Sequence, residues 1–130
     1  MDLDAATQSL FRQSVMAHLA VVDAKGRPHV TPVWADVDDA GRLWVNTAVG
    51  RVKDRYLQVG DPVAVSATVP GDDYKYAQVR GRVAERRLDT ADADIDHLAK
   101  KYLDADSYPF RNDAEQRVTV IVEPEAMTGR

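Results

Sequence analysis

The stretch PHVTPVWADVDDAGRLWVNTA, residues 28–48, contains two runs rich in β-branched and aromatic residues on either side of DDAGR. A turn segment with Gly between two such runs predicts a β-hairpin. HLAVVD at residues 18–23, followed by AKGR, repeats the arrangement on the N-terminal side. The chain therefore predicts a meander of three antiparallel strands over residues 18–48.

Three segments have the features of helices. Residues 4–17 and 90–103 carry apolar residues at helical spacing, and Asp89 or Thr90 is placed to cap the second of them. Residues 52–60 predict a shorter helix that a glycine ends.

Three more strands are predicted at residues 63–69, 74–87 and 117–124. On the long middle strand Val79 and Val83 alternate with polar residues, as on a strand with one buried face. Six strands and two or three helices, joined mostly by short turns, predict one mainly-β (α+β) domain over the whole chain. Its expected form is a small antiparallel barrel or strongly coiled sheet with helices at its ends. Dimerisation is a common way to cover the edges of such a sheet.

The composition excludes several classes of protein. The 130 residues include no Cys, so neither a disulfide framework nor a thiolate site is possible. The net charge of −4 argues against bulk binding to nucleic acid. No apolar run approaches the roughly 20 residues of a membrane span, and the acidic N-terminus does not resemble a signal peptide. We expect a soluble, cytoplasmic protein.

Catalytic motifs are missing from the sequence. It has no G-x-S-x-G, dinucleotide-binding or P-loop pattern. His18, His29 and His97 are far apart, which makes a metal site improbable. The D-x-D-x-D run that starts at Asp92 lacks the Gly of a calcium loop, and its acids instead favour a helix N-terminus.

Positive charge gathers in NTAVGRVKDR, residues 46–55. Arg51 and Lys53 lie at the predicted start of a helix, where an anion is favoured, and Asn46 and Thr47 end the preceding strand. One interpretation is a phosphate site, with Arg and Lys supplying charge and direction. The other is a solvated helix in which Asp54 pairs weakly with a neighbouring cation.

A second candidate feature is Pro32, which cannot donate a hydrogen bond to a neighbouring strand. Its strand is therefore an edge strand or is bulged, and the amides of Val33 and Trp34 are candidates to meet a polar ring system. Trp34, Tyr74 and Tyr76 are candidate apolar walls, although Trp34 is equally well interpreted as a core residue.

The order of these segments resembles a known family over residues 19–123. PHVTPVW and N-T-x-x-x-R-x-K-x-R are its most specific parts. The chain is similar to the pyridoxamine-5′-phosphate-oxidase-like family of split β-barrels (the FMN-binding split barrel). Within that family it resembles the short actinobacterial branch that uses the deazaflavin coenzyme F420. The resemblance implies a six-stranded antiparallel split β-barrel with the cofactor at the interface of a homodimer.

The resemblance also implies roles for individual residues. Arg51 and Lys53 would hold the cofactor phosphate, Asn46 and Thr47 would line the same pocket, and Val52 would also contact the cofactor. Tyr76 and Gln78 would lie near the ring or the dimer partner. The ring itself would lie along the strand His29, Val30, Thr31, Pro32, Val33 and Trp34.

The function implied is hydride transfer from reduced F420 to an electron-poor small molecule such as an enoate, a quinone or a tetrapyrrole-like compound. No side chain is required for the hydride chemistry itself, and the proton could come from solvent, Lys53 or Tyr76. Two alternatives stay open: an FMN-binding flavoprotein that uses the same cations, and a non-catalytic protein that stores F420. The loops PGDDY and DADSYPFRND would form the acceptor pocket.

Overall fold

Residues 1–129 are described by a computed structural model in which all strands belong to one antiparallel sheet. The elements in chain order are α1 (Ala5–Arg12), β1 (Ala17–Val22), β2 (Pro28–Val33), β3 (Ala35–Val37), β4 (Leu43–Ala48), α2 (Val52–Arg55), β5 (Pro62–Val69), β6 (Asp72–Arg87), α3 (Ala91–Leu103) and β7 (Arg117–Gly129). The sheet order is β2-β1-β5-β6-β7-β4-β3. This curled sheet with three helices confirms the predicted mainly-β split-barrel class.

Two turns of the same sequence type shape the meander. Each reads D-x-x-G-R, and the side chain of its first residue accepts hydrogen bonds from the backbone amides two and four positions later. In the first turn Asp23 Oδ1 is 2.9 Å from the amide nitrogens of both Lys25 and Arg27. The glycine of that turn, Gly26, has φ of 78°, which other residues rarely adopt. In the second turn, Asp38 Oδ1 accepts hydrogen bonds from the amides of Ala40 and Arg42.

The predicted strand at residues 28–37 is interrupted, so the prediction of six strands was wrong by one. β2 ends at Val33, Trp34 lies outside both strands, and β3 begins at Ala35. β2 and β3 occupy opposite edges of the sheet, so the chain crosses between the two edges at Trp34. Side chains of α3 satisfy the backbone there: the Ala35 amide donates to the Tyr102 hydroxyl, and its carbonyl accepts from Lys101 Nζ.

The core fills the inside of this curled sheet. It is built mainly from Val, Leu and Ala of β1, β4, β5, β6 and β7, with Leu10 and Phe11 of α1. A second, smaller cluster lies on the outer face of β4 and β7, where Ile95 and Leu98 of α3 pack on Trp44 and Ile121. On β6, Val79 and Val83 are buried, as the alternation predicted.

Several element boundaries differ from the predictions. α1 ends at Arg12 rather than near residue 17, and α2 is a single turn rather than a helix to residue 60. Thr90 is the N-cap residue of α3, although its hydroxyl donates to Asp94 and accepts no hydrogen bond from a helix amide. None of these helices, within residues 1–129, is long and apolar enough to cross a membrane.

β7 continues five residues beyond its predicted end at residue 124. The pairing of β6 and β7 shifts register between Arg80 and Gly81, which lies opposite Pro124. A side chain at Gly81 would meet the Glu123 carbonyl oxygen at 1.9 Å. The bulge therefore depends on the glycine, which admits the backbone of β7 and lets the strand run past its proline.

Candidate functional site

A cleft of about 260 Å³ lies between the ends of β2 and β4, the faces of α2 and α3, and the loop that follows α3. Its walls are Met16, Pro32, Val33, Trp34, Asn46, Arg51, Lys53, Ile95, Leu98, Tyr108, Phe110 and Arg117. The two motifs singled out in the sequence, PHVTPVW and NTAVGRVKDR, thus meet in one place. They meet because β2 and β4 are brought together where the sheet closes.

One wall of the cleft is aromatic. The Trp34 ring stacks on Tyr102 with ring centroids 5.2 Å apart, and the edge of Tyr108 meets it at 6.2 Å. Tyr108 in turn contacts Phe110, which is exposed. Trp34 is therefore a wall of the cleft that is braced from behind by α3, which combines the two interpretations of this residue left open by the sequence.

A second wall of the cleft is cationic and meets the aromatic wall where Arg117 lies over Tyr108. Arg51 and Lys53 come from the N-cap and first turn of α2, and Arg117 begins β7. One Glu115 oxygen is 2.7 Å from Arg51 Nη2, and the other is 3.4 Å from Arg117 Nη1. Three cations and one carboxylate leave this wall with a net positive charge on an acidic protein.

Lys53 is the least compensated of these cations. Its side chain is half-buried, and burial lowers its pKa; the nearby charges of Arg51 and Arg117 lower this pKa further. Across residues 1–129 no carboxylate lies within ion-pair distance of its ammonium. An anion that binds at Lys53 therefore relieves an unfavourable charge.

Arg117 is a cleft residue that the sequence did not predict. Its Nε donates to Asn46 Oδ1 at 2.9 Å, and its guanidinium lies 5.3 Å from the centroid of the Tyr108 ring. The amide of Asn46 donates to the Ala91 carbonyl and to Thr119 Oγ1. Asn46 thus lines the cleft but is used to fix Arg117. A basic residue at the start of the otherwise apolar strand RVTVIV was the available signal.

Asp54 fixes the short helix that carries Lys53. It is only 3% exposed, its Oδ2 accepts from the Gly50 amide at 2.8 Å, and its Oδ1 lies 2.8 Å from Arg86 Nη1. Buried charges of this kind are held by their partners. The interpretation of α2 as a solvated helix with a weak surface pair is therefore wrong for Asp54.

A second hollow of about 400 Å³ adjoins the cleft and shares Arg51 and Lys53 with it. Its other walls are Val21, His29, Thr31 and Val52. His29 is held by Asp23, whose Oδ2 lies 2.9 Å from its Nε2, and stacks on Tyr56. Six of the predicted residues (Pro32, Val33, Trp34, Asn46, Arg51 and Lys53) line the cleft, and His29, Thr31 and Val52 line the adjoining hollow.

The remaining predicted residues lie elsewhere in this subunit. Thr47 shares a face with Leu43 and Val45, so it points into the barrel, where its buried hydroxyl has no partner among residues 1–129. Val30 is 62% exposed and, by strand alternation, points away from the hollow. Tyr76 and Gln78 lie on β6, away from the cleft, and Tyr76 borders a separate groove beside α1.

Other sequence candidates also fall outside the cleft. Tyr74, the last residue of PGDDY, is exposed on β6, and residues 70–74 do not line the cleft. The DADSYPFRND loop, by contrast, contributes Tyr108 and Phe110 to it. No group of His and acidic residues in the described part of the chain could hold a metal ion. His97 is paired with Asp36 at 2.8 Å, as a structural contact between α3 and β3.

Comparison with solved structures agrees with this architecture. A protein described as an F420 reductase matches with a TM-score of 0.81 and 28% identity, over 97% of this chain and 98% of the other. A conserved hypothetical protein from Mycobacterium tuberculosis matches at 0.72 and 18% identity, over 99% of this chain and 84% of the other. An FAD-binding protein from Mycobacterium smegmatis matches at 0.62 and 18% identity, over 98% and 96%. The last two show the fold alone.

Sequence comparison identifies the family. A search of the curated proteins finds no match. The sequence model of the pyridoxamine 5′-phosphate oxidase family matches residues 4–130, nearly the whole chain. The family predicted from PHVTPVW and NTAVGRVKDR is thereby confirmed: this chain belongs to the pyridoxamine 5′-phosphate oxidase family.

Proposed function

We propose that this protein is an oxidoreductase that uses coenzyme F420 to reduce an electron-poor, conjugated small molecule. The observation that carries the proposal is the cleft itself, which is lined by three cations and an aromatic wall. The likeness to an F420 reductase over nearly the full length of both chains supports the choice of cofactor.

The donor set of the cleft fits a cofactor that bears a phosphate group. Arg51 and Arg117 offer guanidinium donors, which suit phosphate oxygens, and Lys53 offers a point charge with no resident anion in ion-pair distance among residues 1–129. A phosphate bound between them gains charge-assisted hydrogen bonds. Burial and then the charges of Arg51 and Arg117 lower the pKa of Lys53, and the charge of the phosphate offsets this repulsion.

The other wall suits a flat ring system. Trp34 is held by Tyr102 behind it and Tyr108 beside it. Its side chain therefore loses little conformational entropy when a ring binds. β2 lies at an edge of the sheet, so one side of its backbone has no neighbouring strand. Pro32 and Val33 at the end of β2 therefore face the cleft without being covered by the sheet.

When bound, reduced F420 supplies a hydride to the acceptor. The residues of the chain hold the cofactor, limit access of water to its ring and orient the acceptor against it. We propose solvent as the source of the accompanying proton. Lys53 is assigned to the phosphate, and Tyr76 lies outside the cleft of its own subunit.

We further propose that the active form is a homodimer with the cofactor at the subunit interface. α3 packs on the outer face of β4 and β7, whereas the outer face of β2, β1, β5 and β6 carries the exposed Val22 and Val30. Tyr76 and Gln78 alternate with buried Ala77 and Val79, so they lie on this same outer face. A second subunit on this face would bring them towards a cofactor.

Turnover distinguishes this enzyme from a protein that only stores F420. We expect reduced F420 to be oxidised, with a rise in absorbance of the oxidised cofactor, when an enoate or a quinone is added with the protein. The matched control contains the Lys53→Ala variant at the same concentration. Tight binding of F420 without turnover on any conjugated acceptor would contradict the enzymatic proposal and favour storage.

A further inference from the structure

One anion, the side chain of Glu115, lies beside the cleft in a neighbouring hollow and contacts two of the three cations of the cleft. Its two carboxylate oxygens lie 2.7 Å from Arg51 Nη2 and 3.4 Å from Arg117 Nη1, so a single group bridges two of the three cations. Arg51 and Arg117 also hold the pKa of Glu115 below its usual value, so it is ionised at neutral pH. A phosphate group that binds the same guanidinium N–H groups of Arg51 and Arg117 competes with this carboxylate.

The contacts of the Glu115 side chain allow it to move away from the two arginines. It ends a turn over residues 112–115, where its amide donates to the Asn112 carbonyl. The Arg51 side chain is 47% exposed and that of Glu115 is 26% exposed, and ion pairs exposed to water in this way contribute little to stability. Arg117, by contrast, is 8% exposed and is fixed through Asn46, so it stays in place when the carboxylate moves.

The charges of the site favour exchange of this carboxylate for a phosphate. Glu115 reaches Arg51 and Arg117 but not Lys53. A phosphate group has more acceptor oxygens than a carboxylate and can reach all three cations. The exchange would therefore compensate Lys53, which no anion compensates while Glu115 occupies the site.

We propose that Glu115 is a resident counterion that orders Arg51 and Arg117 in the free protein and is displaced when a phosphate group enters the cleft. It would thus set the affinity of the site and discriminate against ligands that carry too little negative charge to displace it. This role rests on the proposed function only in treating the cleft as a phosphate site.

The test compares Glu115→Gln with Asp113→Asn. Both changes remove one negative charge from the same loop, but Asp113 has no ion pair with Arg51 or Arg117. Inorganic phosphate is titrated at low ionic strength, and binding is followed by the NMR shifts of the Gly50 and Arg51 amides. We expect Glu115→Gln to bind phosphate roughly three- to tenfold more tightly than the natural protein, and Asp113→Asn to change binding less than twofold.

A second readout does not depend on the first. Without phosphate, Glu115→Gln should melt at a lower temperature than Asp113→Asn because three cations face each other without an anion. Added phosphate should recover more of this loss in Glu115→Gln than it adds to the natural protein. Glu115→Asp, which keeps the charge but shortens the side chain, should bind phosphate with an affinity between those of the natural protein and Glu115→Gln.

The outcomes separate this inference from the proposed function. Equal or weaker phosphate binding by Glu115→Gln, or no saturable response in any variant, would overturn the role of Glu115. If F420 binds the natural protein in that case, the cofactor proposal still stands. If phosphate binding tightens as expected but F420 does not bind, the counterion role stands and the cofactor proposal fails.

Discussion

At the scale of single residues, three side chains hold the cations of the site in place. Asn46 fixes Arg117, Asp54 fixes the helix turn that carries Lys53, and Glu115 bridges the two arginines. The first two contacts are buried and the third is partly exposed. The cationic wall is therefore rigid at Arg117 and adjustable at Arg51.

Replacing Lys53 with Ala tests the phosphate assignment at this scale. We expect cofactor binding to weaken by about 1.5–3 kcal/mol, roughly ten- to a hundredfold, because a charge-assisted hydrogen bond is lost. The free energy of unfolding should change by less than about 1 kcal/mol, because Lys53 has no carboxylate partner to lose among residues 1–129.

Lys75→Ala is the matched control for this variant. Lys75 is exposed on β6 and does not line the cleft, so its removal should leave binding unchanged. Fluorescence titration and urea unfolding of the two variants separate the effects. Normal cofactor binding by Lys53→Ala would remove Lys53 from the phosphate site, and loss of folding would make it a structural residue.

At the scale of elements, the two D-x-x-G-R turns show how a short motif determines the meander. The first turn also positions His29, because Asp23 accepts hydrogen bonds from the turn amides and lies 2.9 Å from His29 Nε2. The contact with His29, followed by the Arg27 amide, holds the pKa of Asp23 well below its usual value. The same carboxylate thus stabilises a turn and one wall of the hollow.

Because of this lowered pKa, we expect the contribution of Asp23 to the free energy of unfolding to depend on pH. The unfolded chain protonates Asp23 near its ordinary pKa of about 3.9, above the pKa in the folded protein. The stabilisation is therefore fully present above about pH 4 and is lost as pH falls through the lower, folded value. Urea unfolding should show Asp23→Asn to be less stable than the natural protein at pH 7, with a smaller difference at pH 3.

Asp39→Asn, in the second turn, is the control for removing a carboxylate near a turn, since Asp39 is exposed. It should leave the pH dependence of unfolding unchanged. A constant difference between Asp23→Asn and the natural protein from pH 7 to pH 3 would show that hydrogen bonding, and not charge, gives Asp23 its effect.

At the scale of the whole molecule, the sequence predicted what local patterns encode. Alternation and turn residues predicted every strand except the separation of β2 from β3, although the ends of several elements differ. The two motifs predicted Trp34, Arg51 and Lys53 of the cleft walls. The break at Trp34 could not be predicted, because it depends on Tyr102 and Lys101 reaching Ala35 from a helix 66 or more residues later. Arg117 and Glu115 were missed for the same reason, since only the closed sheet brings them beside Arg51.

The proposed dimer is tested on two exposed valines. We expect the protein to sediment at twice its chain mass of 14.4 kDa. Val30→Glu places a charge on the outer face of β2 and should shift the protein to monomer with weaker cofactor binding. Val59→Glu, at a similarly exposed site in the turn after α2, should not. A natural protein that sediments as a monomer would contradict the shared site.

The central claim is that the cleft binds F420, and the most direct test is a paired fluorescence titration of the pure protein with F420 and with FMN. We expect tight, saturable binding of F420 and binding of FMN at least about tenfold weaker, a difference of about 1.4 kcal/mol. Equal or tighter binding of FMN would assign the same cations to a flavin phosphate. Binding of neither cofactor would contradict the assignment of the cleft as a cofactor site.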